Sequence, residues 1–231
     1  MLTVVTFKYS GARNIYQAGH VNALQLMLKQ HLTIPHRMVC ITDDPHKVKC
    51  NTYPLWQFPE VAGIPEGRYN NYVCLKLFDI AEIFGEQLLV LDLDLLINKN
   101  INHLITKDDF KIIKGQYAPY NSSMYLLKSG TNKHVWDSFD PLTVEATLQS
   151  RRDETGERLV GTDQAWMSYC IPDAPTWDVG DGVYRYNRDS KLSSESPLIY
   201  FAGNKKPWDR GLKRVSPNLY RQYTRYFVAA A

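Results

Sequence analysis

Cysteine is scarce in this chain: there are four in 231 residues, and Cys40, Cys50, Cys74 and Cys170 form no C-x-x-C pair. That scatter argues against a zinc site or a disulfide framework and fits free thiols in a reducing cytosol. No run of about 20 apolar residues exists, so no membrane-spanning helix is expected. Met1 leads straight into an apolar, β-branched segment, Leu2 to Phe7, without the charged start and long apolar stretch of a secretory signal. H-E-x-x-H, G-x-S-x-G and G-x-x-x-x-G-K-[ST] are all absent, which counts against hydrolase and P-loop readings. His20, His31, His36, His46, His103 and His134 form no catalytic grouping. Internal repeats, low-complexity tracts and interdomain linkers are also missing.

What remains is an ordinary globular composition, 44% hydrophobic and 22% charged, long enough for one domain with a substantial core. The net charge of +3 is unevenly placed: from Arg185 onward, ten Lys/Arg face three Asp/Glu. Such a basic end suits an anionic partner or a solvated face. The closing Val228-Ala229-Ala230-Ala231 has the look of an appended tail.

Hydrophobic periodicity alternates between strand and helix. Residues 2–9 read as a strand, 16–32 as a helix, 36–42 as a strand ended by Asp43-Asp44-Pro45, and 71–84 as a helix with Val73, Leu77, Ile80, Ala81 and Phe84 on one face. A proline-rich loop carrying Pro54, Pro59 and Pro65 lies between the last two. Residues 88–97 then form a strand buried on both faces. Short strands are expected at 123–127 and 198–201, a short helix at 134–139, and a helix at 163–170 with Thr162 as a possible N-cap. The charged stretch 151–158, with its central Gly156, reads as a surface loop. This β-α-β-α-β order predicts an α/β fold, a mixed, mostly parallel central sheet flanked by helices, with ligands at the carboxyl ends of its strands.

Within the strand at 88–97 stand two carboxylates, Asp92 and Asp94, in a run otherwise apolar. On a strand, i and i+2 share a face, so the pair could converge on a hard cation such as Mg²⁺ or Mn²⁺, which favours oxygen ligands and substrate phosphates. Two carboxylates capping a turn or helix are the alternative. Upstream, Lys76 either snorkels or points at a sugar hydroxyl or phosphate. Downstream, Gly161-Thr162-Asp163-Gln164 opens a helix with groups suited to polyhydroxyl ligands. The segment from Tyr200-Phe201-Ala202-Gly203 through Lys205-Lys206-Pro207-Trp208 joins a strand end to a glycine turn, paired lysines and an aromatic.

Taken in order, Leu75-Lys76-Leu77, Asp92-Leu93-Asp94, Asn121-Ser122-Ser123, Gly161-Thr162-Asp163-Gln164 and Gly203 through Lys206-Pro207-Trp208 resemble glycosyltransferases of the GT-A (Rossmann-like) fold. The resemblance is strongest to the retaining family 8 type that includes glycogenin and bacterial galactosyltransferases, and spans about residues 2–210. Cys40-Ile41-Thr42-Asp43-Asp44 is also similar to the second strand of small bacterial and phage-encoded members. It implies a domain over 1–210, followed by a basic, tyrosine-rich segment over 211–231. It further implies that Asp92 touches ribose or metal and that Asp94 ligates Mn²⁺ or Mg²⁺. Lys76 and Asp163 would hold donor-sugar hydroxyls, with Gln164 beside the anomeric carbon. Asn121 would contact the donor sugar and Lys206 the β-phosphate, with Gly203 allowing close backbone approach. Thr6 to Tyr9 would receive nucleobase and ribose, with Tyr9 stacking.

One position departs from the family pattern. Where a histidine usually completes the metal site, this chain has Tyr200, or Ala202 in the shifted alignment. Two alternatives stay open: a cation held by the two carboxylates with phosphates and water, at lower affinity than usual, or substitution by another oxygen ligand such as Asp178 or Asp181. The expected activity is transfer of a hexose, UDP-linked, from a nucleotide diphosphate sugar to an acceptor hydroxyl in the cytoplasm (the host's, if the chain is phage-encoded). The acceptor is left open between a glycan, a protein side chain and a modified base in DNA; peripheral membrane contact is also open. The tail's Tyr220, Arg221, Tyr223, Arg225 and Tyr226 could follow a nucleic acid or pack inward. The rival reading is a non-catalytic nucleotide-sugar binder with a degraded metal site.

Overall fold

A computed structural model describes residues 1–10, 16–56, 70–159, 162–186, 196–203 and 206–230. The expected Pro59/Pro65 loop, Gly161 and Lys205 lie outside the described residues. Seven strands form the main sheet in the order β3-β2-β1-β4-β7-β6-β8. They are β1 (Leu2–Lys8), β2 (His36–Thr42), β3 (Asn51–Pro54), β4 (Gln87–Leu91), β6 (Phe110–Lys114), β7 (Tyr120–Lys128) and β8 (Thr176–Trp177). Of these, β7 alone runs antiparallel to its neighbours β4 and β6. A three-stranded sheet joins β5 (Leu95–Ile97), β10 (Leu198–Tyr200) and β9 (Val183–Arg185). The mixed, mostly parallel α/β architecture expected from the periodicity is therefore present.

Strand alternation sends side chains to two cores. Leu2, Val4, Met38, Cys40, Leu89, Leu91, Met124 and Leu126 face one, while Val5, Val39, Ile41, Leu88, Val90, Tyr125 and Leu127 face the other. The first core is covered by α1 (Ala18–His31) and by the carboxyl-terminal helices α6 (Arg210–Val215) and α7 (Pro217–Ala230). The second is covered by α2 (Leu77–Ile80), α3 (His134–Asp137), α4 (Val144–Thr155) and α5 (Asp163–Cys170). Among the described residues no helix is long and apolar enough to cross a membrane.

Three expectations change. The strand at 88–97 is two strands: β4 ends at Leu91, β5 begins at Leu95 in the other sheet, and Asp92-Leu93-Asp94 turns between them. A carboxylate pair inside a doubly buried strand would lack compensation, so the chain leaves the sheet where they occur. The helix at 71–84 is a 3₁₀ turn (Asn70–Lys76), the single turn α2, and a second 3₁₀ turn (Ala81–Phe84). Tyr72, Leu75, Phe78, Ala81 and Phe84 are all buried, and their spacing of three matches the 3₁₀ period. Residues 151–155 belong to α4, whose exposed polar side chains pair along it, Gln149 with Asp153 and Ser150 with Glu154; the helix ends at Gly156 (φ +71°). The terminal segment packs inward, one of the two arrangements open to it: Leu219, Tyr223, Tyr226 and Ala230 are buried, and the Ala230 carbonyl accepts from Lys49 Nζ at 2.7 Å.

Phe78 is fully buried, stacked on Tyr125 at 6.1 Å between centroids and tilted against Phe110 at 5.8 Å. Phe78→Ala is expected to cost about 3–5 kcal/mol in urea unfolding. A loss below about 1 kcal/mol would show that the third-residue spacing does not anchor this segment.

Candidate active site

The strand order reverses at β1: β2 lies on one side and β4 on the other, both parallel to it. In open α/β sheets the crevice beyond the carboxyl ends at such a point is where ligands sit. Here those ends are Lys8-Tyr9 on β1 and Leu91-Asp92 on β4. Thr6 is fully buried and its hydroxyl donates to the Leu91 carbonyl at 2.8 Å, so it braces the crevice floor instead of presenting its hydroxyl to a ligand. Lys8 Nζ is held by the Asp44 carbonyl at 2.8 Å and carboxylate at 3.1 Å, and the Ser10 N–H donates to Asp43 at 2.8 Å. The Asp43-Asp44 turn thus ties the ends of β1 and β2 together.

Three carboxylates meet at the crevice in different environments. Asp92 is open to solvent on one side and crowded by protein on the others. Desolvation, followed by the charges of Asp94 and Asp163, raises its carboxyl above the ordinary range, with the Ser123 hydroxyl and Lys206 pulling the other way. Asp163, at the start of α5, is buried and likewise pushed up by desolvation; the hydroxyls of Ser122 and Thr162 oppose the shift. The Thr162 hydroxyl lies 3.1 Å from Asp163. Thr162 precedes the helix but makes no side-chain cap bond to it.

Asp94 is the deeply placed member, 3% exposed. Its Oδ2 accepts from the Lys206 ammonium and from the Tyr16 hydroxyl at 3.2 Å. Its Oδ1 is buried without a hydrogen-bond partner among the described residues. The Asp94 carbonyl accepts from the Phe201 N–H at 3.2 Å, which seats the carboxylate beside β10. A buried carboxylate oxygen with no partner and an open neighbouring carboxylate suit a hard cation whose other ligands are phosphate oxygens and water. Among the described residues no group of three or more His, Cys, Asp or Glu is placed to hold a metal. Tyr200 is buried in the first core, opposite Leu95.

The candidate replacements for the histidine do not fill its place. Asp178 accepts from the Gly180 N–H at 2.7 Å, and Asp181 from the Asp178 N–H at 2.9 Å, closing a turn at the start of β9. That start lies level with Leu198 and Ile97, at the opposite end of the small sheet from Tyr200 and Leu95.

The remaining expected site residues are distributed around the same crevice end. Asn121 sits at the start of β7, its Oδ1 accepting from the Ser123 N–H at 3.1 Å. Gln164 follows Asp163 in the first turn of α5. Gly203 has φ +80°, in the left-handed region, and no described residue comes within 4 Å of where a Cβ would stand. The Tyr9 hydroxyl donates to Asn71 at 2.9 Å. Lys76 pairs with Asp79 at 2.6 Å and lies 4.4 Å from the centre of the Trp136 ring.

Sequence reasoning missed three neighbours. Tyr16 reaches Asp94 from the foot of α1. Cys74, carried by the first 3₁₀ turn, lies against Tyr9 near Asp92 and Asp163, and burial pushes its thiol well up. Tyr223, on α7, is fully buried within electrostatic reach of Asp94. None belongs to a motif; topology alone brings them here. A cavity of about 550 Å³ lined by Lys29, His36, Arg37 and Lys49 opens at the amino end of β2, away from these groups.

Among solved structures, the fold is similar to that of the galactosyltransferase LgtC in complex with donor and acceptor sugar analogs. That likeness has 14% identity over 98% of this chain and 95% of the other, with a TM-score of 0.63. It is also similar to the glycosyltransferase GlyE of Streptococcus pneumoniae TIGR4, with 11% identity over 99% of this chain and 63% of that one and a TM-score of 0.58. A third is a glycosyltransferase involved in the glycosylation of the major capsid of PBCV-1, with 10% identity over 98% of each chain and a TM-score of 0.50. No protein-family model and no curated protein matches the chain. At these identities the likeness is one of fold, and the chain has the GT-A fold that its motifs lead one to expect.

An aromatic cluster fixes the Lys206 turn to α1 and α7. Trp208 lies 4.1 Å from His20 and 5.9 Å from Tyr16 between ring centroids, with Tyr223 at 5.6 Å. His20 accepts from the Gln17 N–H through Nδ1 at 2.7 Å, and burial pushes its imidazole from 6.5 down to about 4. With the folded value depressed, the unfolded chain takes up the proton first as pH falls. Stability owed to neutral His20 is complete above about pH 6.5 and is lost progressively toward pH 4. Relative to His20→Leu, the wild type is expected to lose on the order of 3 kcal/mol between pH 7 and 4. Parallel unfolding curves for the two proteins over that range would show that His20 is not held neutral.

Proposed function

We propose that the chain transfers a hexose from a UDP-linked sugar to an acceptor hydroxyl, with divalent-metal assistance and retention of anomeric configuration. The observation that carries this reading is the buried, half-partnered Asp94 beside open Asp92 and Lys206, at the switch-point crevice of a fold shared with glycosyltransferases. When bound, Mn²⁺ or Mg²⁺ supplies Lewis-acid neutralisation of the leaving diphosphate, with Asp92 and Asp94 as its protein ligands.

The chain's own residues do the rest. Tyr9 receives the nucleobase and ribose, and Lys206 takes the β-phosphate as charge builds on it. Lys76, Asn121 and Asp163 hold donor-sugar hydroxyls, and the Gln164 amide lies beside the anomeric carbon. The C1–O bond to the β-phosphate breaks, a bond from C1 to the acceptor oxygen forms on the same face, and the acceptor proton passes to the departing diphosphate. Gln164 and the diphosphate shield the oxocarbenium-like centre between these events. An active-site mutant of LgtC exchanges a glutamine for a glutamate, so that protein has a glutamine in its active site.

The acceptor proposed is a saccharide hydroxyl, the class that LgtC was solved with in analogue form. Tyr223 and Tyr226, which could have stacked on bases, are buried against α1. Four free cysteines fit a cytoplasmic setting.

A thermal-shift screen of nucleotide sugars with and without Mn²⁺ identifies the donor, and release of UDP from it measures turnover. Asp92→Asn/Asp94→Asn is expected to lower that release by about 10²-fold or more. An unchanged rate in the double variant would sink the proposal; donor binding by the wild type without turnover would favour the non-catalytic binder.

A further inference from the structure

Asp94 and Lys206 form an ion pair far more enclosed than a surface bridge: their side chains are 4% and 16% exposed. A carboxylate so placed needs a charged partner, and in the free protein Lys206 supplies it. The Tyr16 hydroxyl donates to the same oxygen at 3.2 Å, so Oδ2 is saturated while Oδ1 has no partner among the described residues. Any divalent cation arriving at Asp94 therefore meets a carboxylate that an ammonium already neutralises. With Lys206 in place, two positive groups crowd one carboxylate. With Lys206 expelled, a largely buried ammonium loses its counter-ion.

We propose that Lys206 is a built-in competitor for the cation at Asp94, so that a divalent cation binds weakly to the free protein and tightly only when a nucleoside diphosphate draws the lysine away. The diphosphate arm rests on the donor reading above, whereas the competition itself does not. A diphosphate resolves both conflicts at once. Its oxygens accept from the displaced ammonium and complete the coordination of the cation. Because Trp208, two residues on, is seated against His20 and Tyr16, Lys206 can change partner by side-chain rotation while its backbone stays anchored. With two carboxylates at the turn and no three-residue ligand group among the described residues, no further protein ligand offsets the lysine. By linkage, whatever factor the diphosphate adds to cation affinity, the cation adds to diphosphate affinity.

The test is a titration of Mn²⁺ alone into the full chain, read as loss of the electron-paramagnetic signal of the free aqueous ion. Lys206→Met is expected to bind Mn²⁺ about tenfold tighter than the wild type, while Lys206→Arg, which keeps the charge, stays close to it. Asp94→Asn should abolish the gain when combined with Lys206→Met. Saturating UDP, corrected for Mn²⁺ held by UDP in solution, should tighten Mn²⁺ binding in both proteins, and by a factor about tenfold larger in the wild type than in Lys206→Met, where no lysine has to be drawn away. Circular dichroism checks each fold, and Lys206→Gln replaces the Met variant if that one is misfolded. Equal Mn²⁺ affinity in wild type and Lys206→Met, undetectable binding in both included, overturns the proposal. Tightening in Lys206→Met with no effect of UDP on the wild type supports the competition and overturns the donor reading instead.

Discussion

A buried carboxylate cannot be left without compensation, and Asp94 imposes that requirement on much of the chain. Its oxygen is reached by Tyr16 from the foot of α1 and by Lys206 from beyond β10, positions separated by 78 and 112 residues from Asp94. Satisfying it therefore draws the carboxyl-terminal third back onto the first helix. The contact does not act alone: Leu219, Tyr223 and Tyr226 bury apolar surface against α1 in the same layer, and Trp208 fills the space between. Hydrophobic burial supplies the larger share of that stabilisation, while the ion pair fixes where the Lys206 turn must lie.

The same turn sets Asp92 and Asp94 on different footings although one residue separates them. Asp94 is enclosed and paired. Asp92 is reachable from solvent, yet its protein surroundings and two neighbouring carboxylates favour its protonated form. The break between β4 and β5 produces the asymmetry. A continuous strand would have put both carboxylates on one face in one environment.

Much of this was legible in the sequence because it follows from local periodicity. The bounds of β2 and α5 come directly from the apolar pattern and its polar flanks, and the two-core alternation from doubly buried strands. What was hidden has identifiable causes. Apolar continuity from Leu88 to Ile97 conceals a change of sheet, since Leu93 is as buried in the turn as its neighbours are in strands. Spacing of three from Tyr72 to Phe84 overlaps the spacing of an α-helical face and is easily taken for one. In α4 only Val144 and Leu148 are buried, so charge masks a helix that Gly156 in fact terminates. At the site, Asp163, Gln164 and Lys206 belong to motifs, whereas Tyr16, Cys74 and Tyr223 depend on which elements the topology places side by side.

Charge in the crevice argues for a cation on grounds independent of motif. Asp92, Asp94 and Asp163 stand close enough for two of them to raise the third, and Lys206 is the ammonium held among them. Among the described residues, Lys76 and Lys8 along its walls are already paired with Asp79 and Asp44. A diphosphate entering such a place brings further negative charge into a site where desolvation already disfavours it. Protonating Asp92 and Asp163 would ease the repulsion but would weaken them as acceptors for polyhydroxyl ligands. In the proposed mechanism a divalent cation at the Asp92–Asp94 turn would remove the repulsion without that cost and free Lys206 to follow the phosphate.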